Sequence, residues 1–150
     1  MILAGRRIND NMGYFIAESV ISELSIQGIS PFGAKISILG LTFKEDCPDL
    51  RNTKVITIFE KLKDYKCEIT LVDCCAQEQD IEKVFQQKPR ELNDVQNQNA
   101  IILAVAHKEY KLFGSDDFEK LLVTDGVFID VKSVYDREIF LKSKIRHWRL

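Results

Sequence analysis

The fold is decided by Lys35-Ile36-Ser37-Ile38-Leu39-Gly40-Leu41, a short apolar run suited to a buried strand. Residues Lys54 to Tyr65 follow with apolar side chains at helical spacing. The alternation then continues, with strands predicted at Cys67–Val72, Ala100–Ala106, Val127–Val131 and Arg146–Leu150, and helices near Asp80–Gln87, Asp116–Leu122 and Asp136–Ser143. This order predicts an α/β fold with a Rossmann-like, doubly wound, mainly parallel sheet, in which the last strand lies at the edge.

A long amphipathic helix is predicted before the first strand. Apolar side chains recur at three- and four-residue steps from Ile8 to Ile26, and the breakers Gly28 and Pro31 end the pattern. Such a helix has little of its own domain to pack against, which favours a connector or an oligomer face. We therefore divide the chain into a connecting and dimerisation helix at 1–30 and an α/β domain at 31–150. The apolar positions are Ile8, Met12, Phe15, Ile16, Val20 and Leu24.

Composition excludes several classes of protein. The 150 residues carry 21 Lys and Arg against 23 Asp and Glu, a net charge of -2, which argues against nucleic-acid or anionic-membrane binding. No apolar run approaches the roughly 18 residues of a membrane span, so we expect a soluble, cytoplasmic protein. The four cysteines form no CxxC pair, which predicts reduced thiols and no metal site.

The glycine pattern bears on nucleotide binding. No two glycines are separated by a single residue, so the GxGxxG finger of dinucleotide-binding folds is absent. The stretch 28–35 superficially resembles a phosphate-binding P-loop, but Ala34 stands where the lysine must be and the stretch precedes its strand.

Cations follow the predicted strands, where open parallel sheets bind their ligands. The first strand leads to Phe43 and Lys44 and then to Arg51, and Lys132 follows the predicted strand Val127–Val131. Lys44, Arg51 and Lys132 would converge on one sheet edge, which predicts an anion site suited to a diphosphate, with Phe43 as an apolar wall. Taken singly, each cation is more simply a solvated surface charge, and this alternative stays open.

Other polar residues at the strand ends give weaker signals. His107 could bind phosphate or a sugar hydroxyl, although a lone histidine more often caps or packs. Asp73 follows the second strand and is interpreted as a cap or turn residue. No set of nucleophile, base and orienting group is legible, so no catalytic residue is predicted within this chain.

Four motifs resemble one family across essentially the whole chain. They are AGRRINDNMG at 4–13, GLTFKEDCPDLRN at 40–52, AVAH at 104–107 and DVK at 130–132. Together they resemble the C-terminal part of the UDP-glucose/GDP-mannose dehydrogenase family. The sequences CPDLRN at 47–52 and DVK at 130–132 are most similar to those of the branch that oxidises UDP-N-acetylhexosamines to uronic acids for bacterial capsule or O-antigen polysaccharides.

The resemblance implies roles for individual residues. Phe43 and Lys44 would hold the UDP-sugar, Lys132 would lie near the diphosphate, and Arg51 would lie near the substrate and could also face NAD. The first helix would carry a homodimer interface. NAD and a catalytic cysteine loop would belong to a part of the enzyme outside this chain, so the chain alone is expected to bind a UDP-sugar, to bind NAD weakly and to be inactive.

Alternatives and departures remain. The chain could be a standalone, non-catalytic nucleotide or nucleotide-sugar binding module, or a receiver-like scaffold domain, although no acidic cluster follows the first strand. Asp73-Cys74-Cys75 stands where the family commonly has Asp-Pro, and Ser133 stands where glycine is expected. These departures leave the sugar preference open.

Overall fold

A computed structural model describes the backbone of residues 2–150 and the side chains of residues 11–150. The predicted apolar position Ile8 and the side chains of the motif before Asn11 therefore lie outside the described residues. The helices and strands are α1 (Ile2–Ile26), β1 (Lys35–Leu39), α2 (Val55–Asp64), β2 (Glu68–Val72), α3 (Glu78–Phe85), β3 (Gln98–Leu103), α4 (Ser115–Leu121), β4 (Leu122–Asp130) and β5 (Arg146–Arg149).

The strands form one five-stranded sheet in the order β2-β1-β3-β4-β5, and every neighbouring pair is parallel. The predicted parallel α/β fold is confirmed, with β5 at the edge. The winding reverses between β1 and β3, and open sheets bind ligands in the crevice outside the strand ends at such a reversal. The topology therefore points to the segments that follow β1 and β3.

Both faces of the sheet are covered, as a doubly wound fold requires. Side chains alternate along each strand, so Ile36 and Ile38 pack in one core with α1 and α2, whereas Leu39 packs in a second core on the opposite face. The second core is aromatic, with Phe118 of α4 stacked on Phe128 of β4 at 4.1 Å between ring centroids.

The first helix packs on its own domain, so the expectation that it would find little to contact there is wrong. Ile16, Ala17, Val20 and Leu24 are all buried in the core shared with α2 and the sheet. The buried stripe lies to one side of the predicted one, and Met12 and Phe15 remain exposed. Gly13 permits the close crossing, because a Cβ there would lie 2.9 Å from Cβ of Thr57 in α2.

Several predicted boundaries are wrong. The predicted helix Asp136–Ser143 is a single 3-10 turn at Arg137–Phe140, anchored by the buried ring of Phe140. β3 ends at Leu103 because the chain bends there, and the amides of Ala104 and Val105 both donate to the carbonyl of Leu39. β4 starts at Leu122, earlier than predicted. Among the described helices, none is both long and apolar enough to cross a bilayer.

Candidate functional site

A cleft of about 490 Å³ opens at the carboxyl ends of β1, β3 and β4, where the sheet topology places a ligand. It brings together Phe43, Lys44 and Lys132, as the sequence predicted. Val55 and Val105 contribute apolar surface, and the first turn of α2 faces the opening. The arrangement combines an apolar wall with cations, which suits a nucleotide better than a purely apolar ligand.

Three lysines give the cleft a positive charge. Lys44, Lys54 and Lys132 line it, and among the described side chains no carboxylate lies within ion-pair distance of any of them. Glu45 also lines the cleft, but its carboxylate lies 3.4 Å from the ammonium of Lys111. Three ammonium groups without a protein counter-ion can bind a diphosphate, which offers several acceptor oxygens.

Lys54 is the residue that sequence reasoning missed. It stands immediately before α2 and is half-buried in the cleft, beside the positive end of the helix dipole. Its position was visible in the sequence as the last residue before the apolar helical pattern, at the edge where β1 also ends.

Arg51 does not join the other predicted cations. Its side chain is 87% exposed and lies outside the cleft, with Nε and Nη2 donating to Asp49 at 3.0 Å each. These hydrogen bonds raise the pKa of Arg51 and lower that of Asp49. The predicted convergence therefore holds for Lys44 and Lys132, and Lys54 takes the third position.

His107 lies behind the cleft and is fully buried. Its Nδ1 accepts the amide hydrogen of Asp46 at 2.9 Å, and its Nε2 lies 3.0 Å from Oδ2 of Asp73. Both ring nitrogens are thus engaged by the protein. The ring supports the loop that follows β1 and does not reach the cleft, which favours the packing interpretation over ligand binding.

Asp73 is a turn residue, as predicted, and organises three strand ends. Its carboxylate accepts the amides of Leu41, Cys75 and Ala76 at 2.6, 2.7 and 2.8 Å, besides contacting His107. Burial alone would raise the pKa of Asp73, but these hydrogen bonds outweigh it and hold the pKa below its ordinary value.

Asp130 plays a matching part at the end of β4. It accepts the amides of Val134 and Tyr135 at 3.0 and 2.9 Å, and Nε2 of His147 lies 3.3 Å from Oδ2. Burial opposes ionisation here too, yet the hydrogen bonds lower its pKa. The same turn carries Lys132 and then Ser133, whose φ of 52° explains why glycine is expected at that position.

These carboxylates make the fold acid-labile. Because folding lowers their pKa, their stabilisation is complete above about pH 4, the ordinary value in unfolded chains, and is lost as the pH falls through the lower folded values. We expect Asp73→Asn to destabilise the protein by about 2 kcal/mol at neutral pH. It should also flatten the acid limb of the stability curve, which is the fall in the free energy of unfolding as the pH is lowered. Urea unfolding across acid pH measures both, and parallel acid limbs for the two proteins would contradict the assignment.

Cys74, Cys75 and His107 form a compact group of potential metal ligands, with their ligand atoms within 4.8 Å of one another. The histidine nitrogens already bond to Asp46 and Asp73, which leaves two thiols, fewer than a zinc site uses. Burial, with a contribution from Glu109, raises the pKa of Cys74 to about 12, so this thiol stays protonated. The geometry therefore offers no ready metal site here.

The residues present do not fit the dinucleotide finger that would hold NAD. β1 reaches α2 through the long connection 40–54, whose single glycine is Gly40. A glycine-rich turn that leads directly into a helix is what lets a pyrophosphate approach the helix N-terminus. We therefore derive no NAD-dependent step from the side chains of this chain.

Sequence comparison gives a family and several relatives. The UDP binding domain of the UDP-glucose/GDP-mannose dehydrogenase family matches residues 37–137. Protein CapL of Staphylococcus aureus is 42% identical over 100% of this chain and 35% of its own length. The UDP-N-acetyl-D-glucosamine 6-dehydrogenase of Salmonella typhi is 36% identical over 92% of this chain and 32% of its own length. The chain thus spans about a third of these relatives.

Solved structures show the same fold. The NDP-N-acetyl-D-galactosaminuronic acid dehydrogenase of Methanosarcina mazei Go1 superposes with a TM-score of 0.78 at 19% identity, covering 98% of this chain and 30% of that one. The UDP-D-ManNAc dehydrogenase of Pyrococcus horikoshii gives a TM-score of 0.72 at 25% identity, with 95% and 32% covered. From its motifs, its parallel fold and these matches, the chain belongs to the UDP-glucose/GDP-mannose dehydrogenase family and corresponds to its UDP binding domain.

Proposed function

We propose that this chain is the UDP-sugar-binding part of an NAD-dependent UDP-N-acetylhexosamine 6-dehydrogenase of surface polysaccharide biosynthesis. One observation carries the proposal: an apolar-walled cleft with three lysines lies at the sheet's ligand-binding position, in a domain that matches the family's UDP binding domain. The relative from Salmonella typhi, a UDP-N-acetyl-D-glucosamine 6-dehydrogenase, supports the choice of an N-acetylhexosamine.

The cleft divides the ligand between its charged and apolar parts. Lys44 and Lys132 come from the ends of β1 and β4, and a diphosphate between them would contact both ammonium groups. Lys54 would add a third contact at the start of α2. Phe43, a residue that is 54% exposed, would offer its ring to the base or the sugar face. The volume of about 490 Å³ lies within the range usual for small-molecule sites.

The rest of the reaction belongs to residues outside this chain. In the proposed whole enzyme, the C6 alcohol of the UDP-sugar is oxidised to a carboxylate, with NAD and a cysteine supplied by other parts of the protein. Arg51, whose exposed side chain is bonded to Asp49 outside the cleft, would face NAD or substrate from that side. The homodimer, its interface on α1 and a cytoplasmic location complete the proposal.

Calorimetric titration of the chain with UDP, UDP-N-acetylglucosamine and NAD tests the proposal. We expect both UDP ligands to bind and NAD to give no heat of binding, because the phosphate-binding cations are present and the dinucleotide finger is absent. Binding of NAD without binding of either UDP ligand would contradict it.

Lys54 should contribute to binding of the diphosphate. We expect Lys54→Met to weaken UDP-N-acetylglucosamine binding about tenfold, the equivalent of one charge-assisted contact of about 1.4 kcal/mol. Lys63→Met is the matched control, because Lys63 lies exposed in the last turn of the same helix, away from the cleft. Equal affinities for the two variants would remove Lys54 from the site.

The exposed side of α1 should carry the dimer interface. Phe15 is 51% exposed beside Met12 and Tyr14, so the proposed dimer would cover a small apolar surface there. We expect Phe15→Asp to weaken dimerisation at least about tenfold by burying a charge, while Leu112→Asp, which places a charge at an exposed apolar side chain outside α1, serves as control. Sedimentation equilibrium measures both, and a mass unaffected by Phe15→Asp would rule out this surface.

A further inference from the structure

The ends of β1, β2 and β3 meet behind the cleft at the buried ring of His107. The ring follows β3, contacts Asp73 after β2, and accepts a hydrogen bond from the backbone of Asp46 in the loop after β1. Thr42 Oγ1 lies 3.4 Å from Nε2 in the same cluster. One imidazole thus joins the three segments that surround the topological reversal.

The two contacts determine the tautomer of the ring. A backbone amide can only donate, so Nδ1 must be the unprotonated acceptor. The carboxylate of Asp73 is held ionised by three amides, so it accepts, and Nε2 must carry the hydrogen. The geometry therefore requires a neutral imidazole with its hydrogen on Nε2.

The loop that the ring supports carries four residues that line the cleft, Thr42, Phe43, Lys44 and Glu45. Asp46 has a φ of 55°, a left-handed conformation that costs energy for a residue with a side chain. Its amide bonds to His107, and its carboxylate accepts the amide of Lys108 at 2.8 Å. These two contacts hold Asp46 in that conformation and set the path of the loop.

We propose that His107 is a positioning residue whose neutral ring holds the loop 42–46 in the ligand-binding conformation and whose protonation releases it. The proposal rests on the proposed function and deepens it. A proton added at Nδ1 places a donor against the donor amide of Asp46, so that hydrogen bond breaks. The bond from Nε2 to Asp73 survives, and only the side of the ring that supports the cleft is affected.

The titratable groups that surround the ring each keep one charge state. Asp73 stays ionised, and the nearby thiol of Cys74 and phenol of Tyr110 stay uncharged because burial raises the pKa of each. The pKa of the neighbouring Cys75 thiol is also raised by burial.

The remaining charged groups near the ring lie in its own loop and in the loop after β1. Asp46 directs its carboxylate to the amide of Lys108, and Lys108 and Glu109 are exposed. The second histidine, His147, contacts Asp130 next to the turn of Lys132. It is therefore the competing source of any pH dependence, and the test must separate the two rings.

The probe is UDP-N-acetylglucosamine, whose doubly esterified diphosphate keeps a constant charge near neutral pH. Where the ring of His107 becomes protonated, we expect the affinity of this probe for the chain to fall roughly three- to tenfold, the equivalent of one neutral hydrogen bond. This fall in affinity is the acid limb of binding. His107→Asn offers an amide oxygen where Nδ1 stood, so it should bind nearly as well at neutral pH and lose the acid limb. His147→Asn should keep the acid limb.

A second readout needs neither ligand nor variant. Nitrogen NMR of the wild-type ring should show the Nε2–H tautomer at neutral pH, and the Asp46 amide should exchange faster once the ring is protonated. An Nδ1–H tautomer, an exchange rate independent of ring protonation, or an acid limb that persists in His107→Asn and vanishes in His147→Asn would overturn the proposal. Absence of UDP-sugar binding at every pH would contradict the proposed function, whereas the amide exchange still decides the role of His107.

Discussion

Gly40→Ala is expected to lower the free energy of unfolding by more than about 3 kcal/mol, the largest effect of any single substitution considered for this fold. Gly40 follows β1 with a φ of +87°, and a Cβ there would lie 2.7 Å from Cβ and 2.8 Å from N of Val105, and closer still to its carbonyl oxygen. Because two of these three atoms belong to the backbone, the ends of β1 and β3 would have to separate. The cleft would be distorted at the same time, because Val105 lines it.

Gly28→Ala provides the matched control. Gly28 also has a positive φ, +75°, but no heavy atom lies within 4 Å of the position of an added Cβ. We expect Gly28→Ala to lower the free energy of unfolding by only about 1–2 kcal/mol, the strain of a left-handed alanine. Urea denaturation of both variants separates strain from collision, and equal losses would show that β1 and β3 do not approach as described.

The second large effect is on binding. Replacing Lys44 and Lys132 together by methionine is expected to weaken UDP binding about a hundredfold, because two charge-assisted contacts of about 1.5 kcal/mol each are lost. Uridine, which lacks the diphosphate, should bind the double variant and the wild type equally. Competition calorimetry with the two ligands measures the difference.

A charge-matched control accompanies that experiment. Lys83 and Lys120 are exposed on α3 and α4 and line none of the cleft, so their double replacement by methionine removes the same net charge elsewhere. We expect it to leave UDP affinity unchanged apart from a small long-range effect that salt screens. Equal losses for UDP and uridine in the Lys44 and Lys132 variant would show that these lysines do not contact the phosphates.

The regular parts of the fold were predictable because they depend on local patterns. The apolar run at 35–41 and the helical spacing after Lys54 predicted β1 and α2 to within a few residues, and the alternation predicted the parallel sheet. The end of β3 was misplaced because its bend at Ala104 arises from hydrogen bonds to Leu39, a partner distant in sequence.

The site was predictable where a residue follows a strand directly. Lys44 and Lys132 come within a few residues of β1 and β4, so the strand direction determines where they lie. Arg51 lies far along the connection 40–54, whose path depends on Asp49 and on the left-handed Asn52, and no periodic pattern reveals that path. Lys54 lines the cleft because the start of α2 lies at the same edge of the sheet.

The first helix shows a different limit. Its apolar spacing predicted a helix correctly, but the same spacing serves equally for an oligomer face and for the domain's own core. Burial of Ile16, Val20 and Leu24 against α2 and the sheet shows that half of the stripe belongs to the core. Phe15 on its flank remains available for the proposed dimer, whereas the exposed Met12 lines the cleft.

The central claim is that the lysine cleft binds the diphosphate of a UDP-sugar. A crystal structure of the chain with UDP-N-acetylglucosamine tests it most directly, since it locates the phosphates. The account predicts phosphate oxygens within hydrogen-bonding distance of the ammonium groups of Lys44 and Lys132, beyond the ends of β1 and β4. Phosphates bound instead in the basic cleft beside β5, lined by Arg137, Arg146 and Arg149, would contradict it.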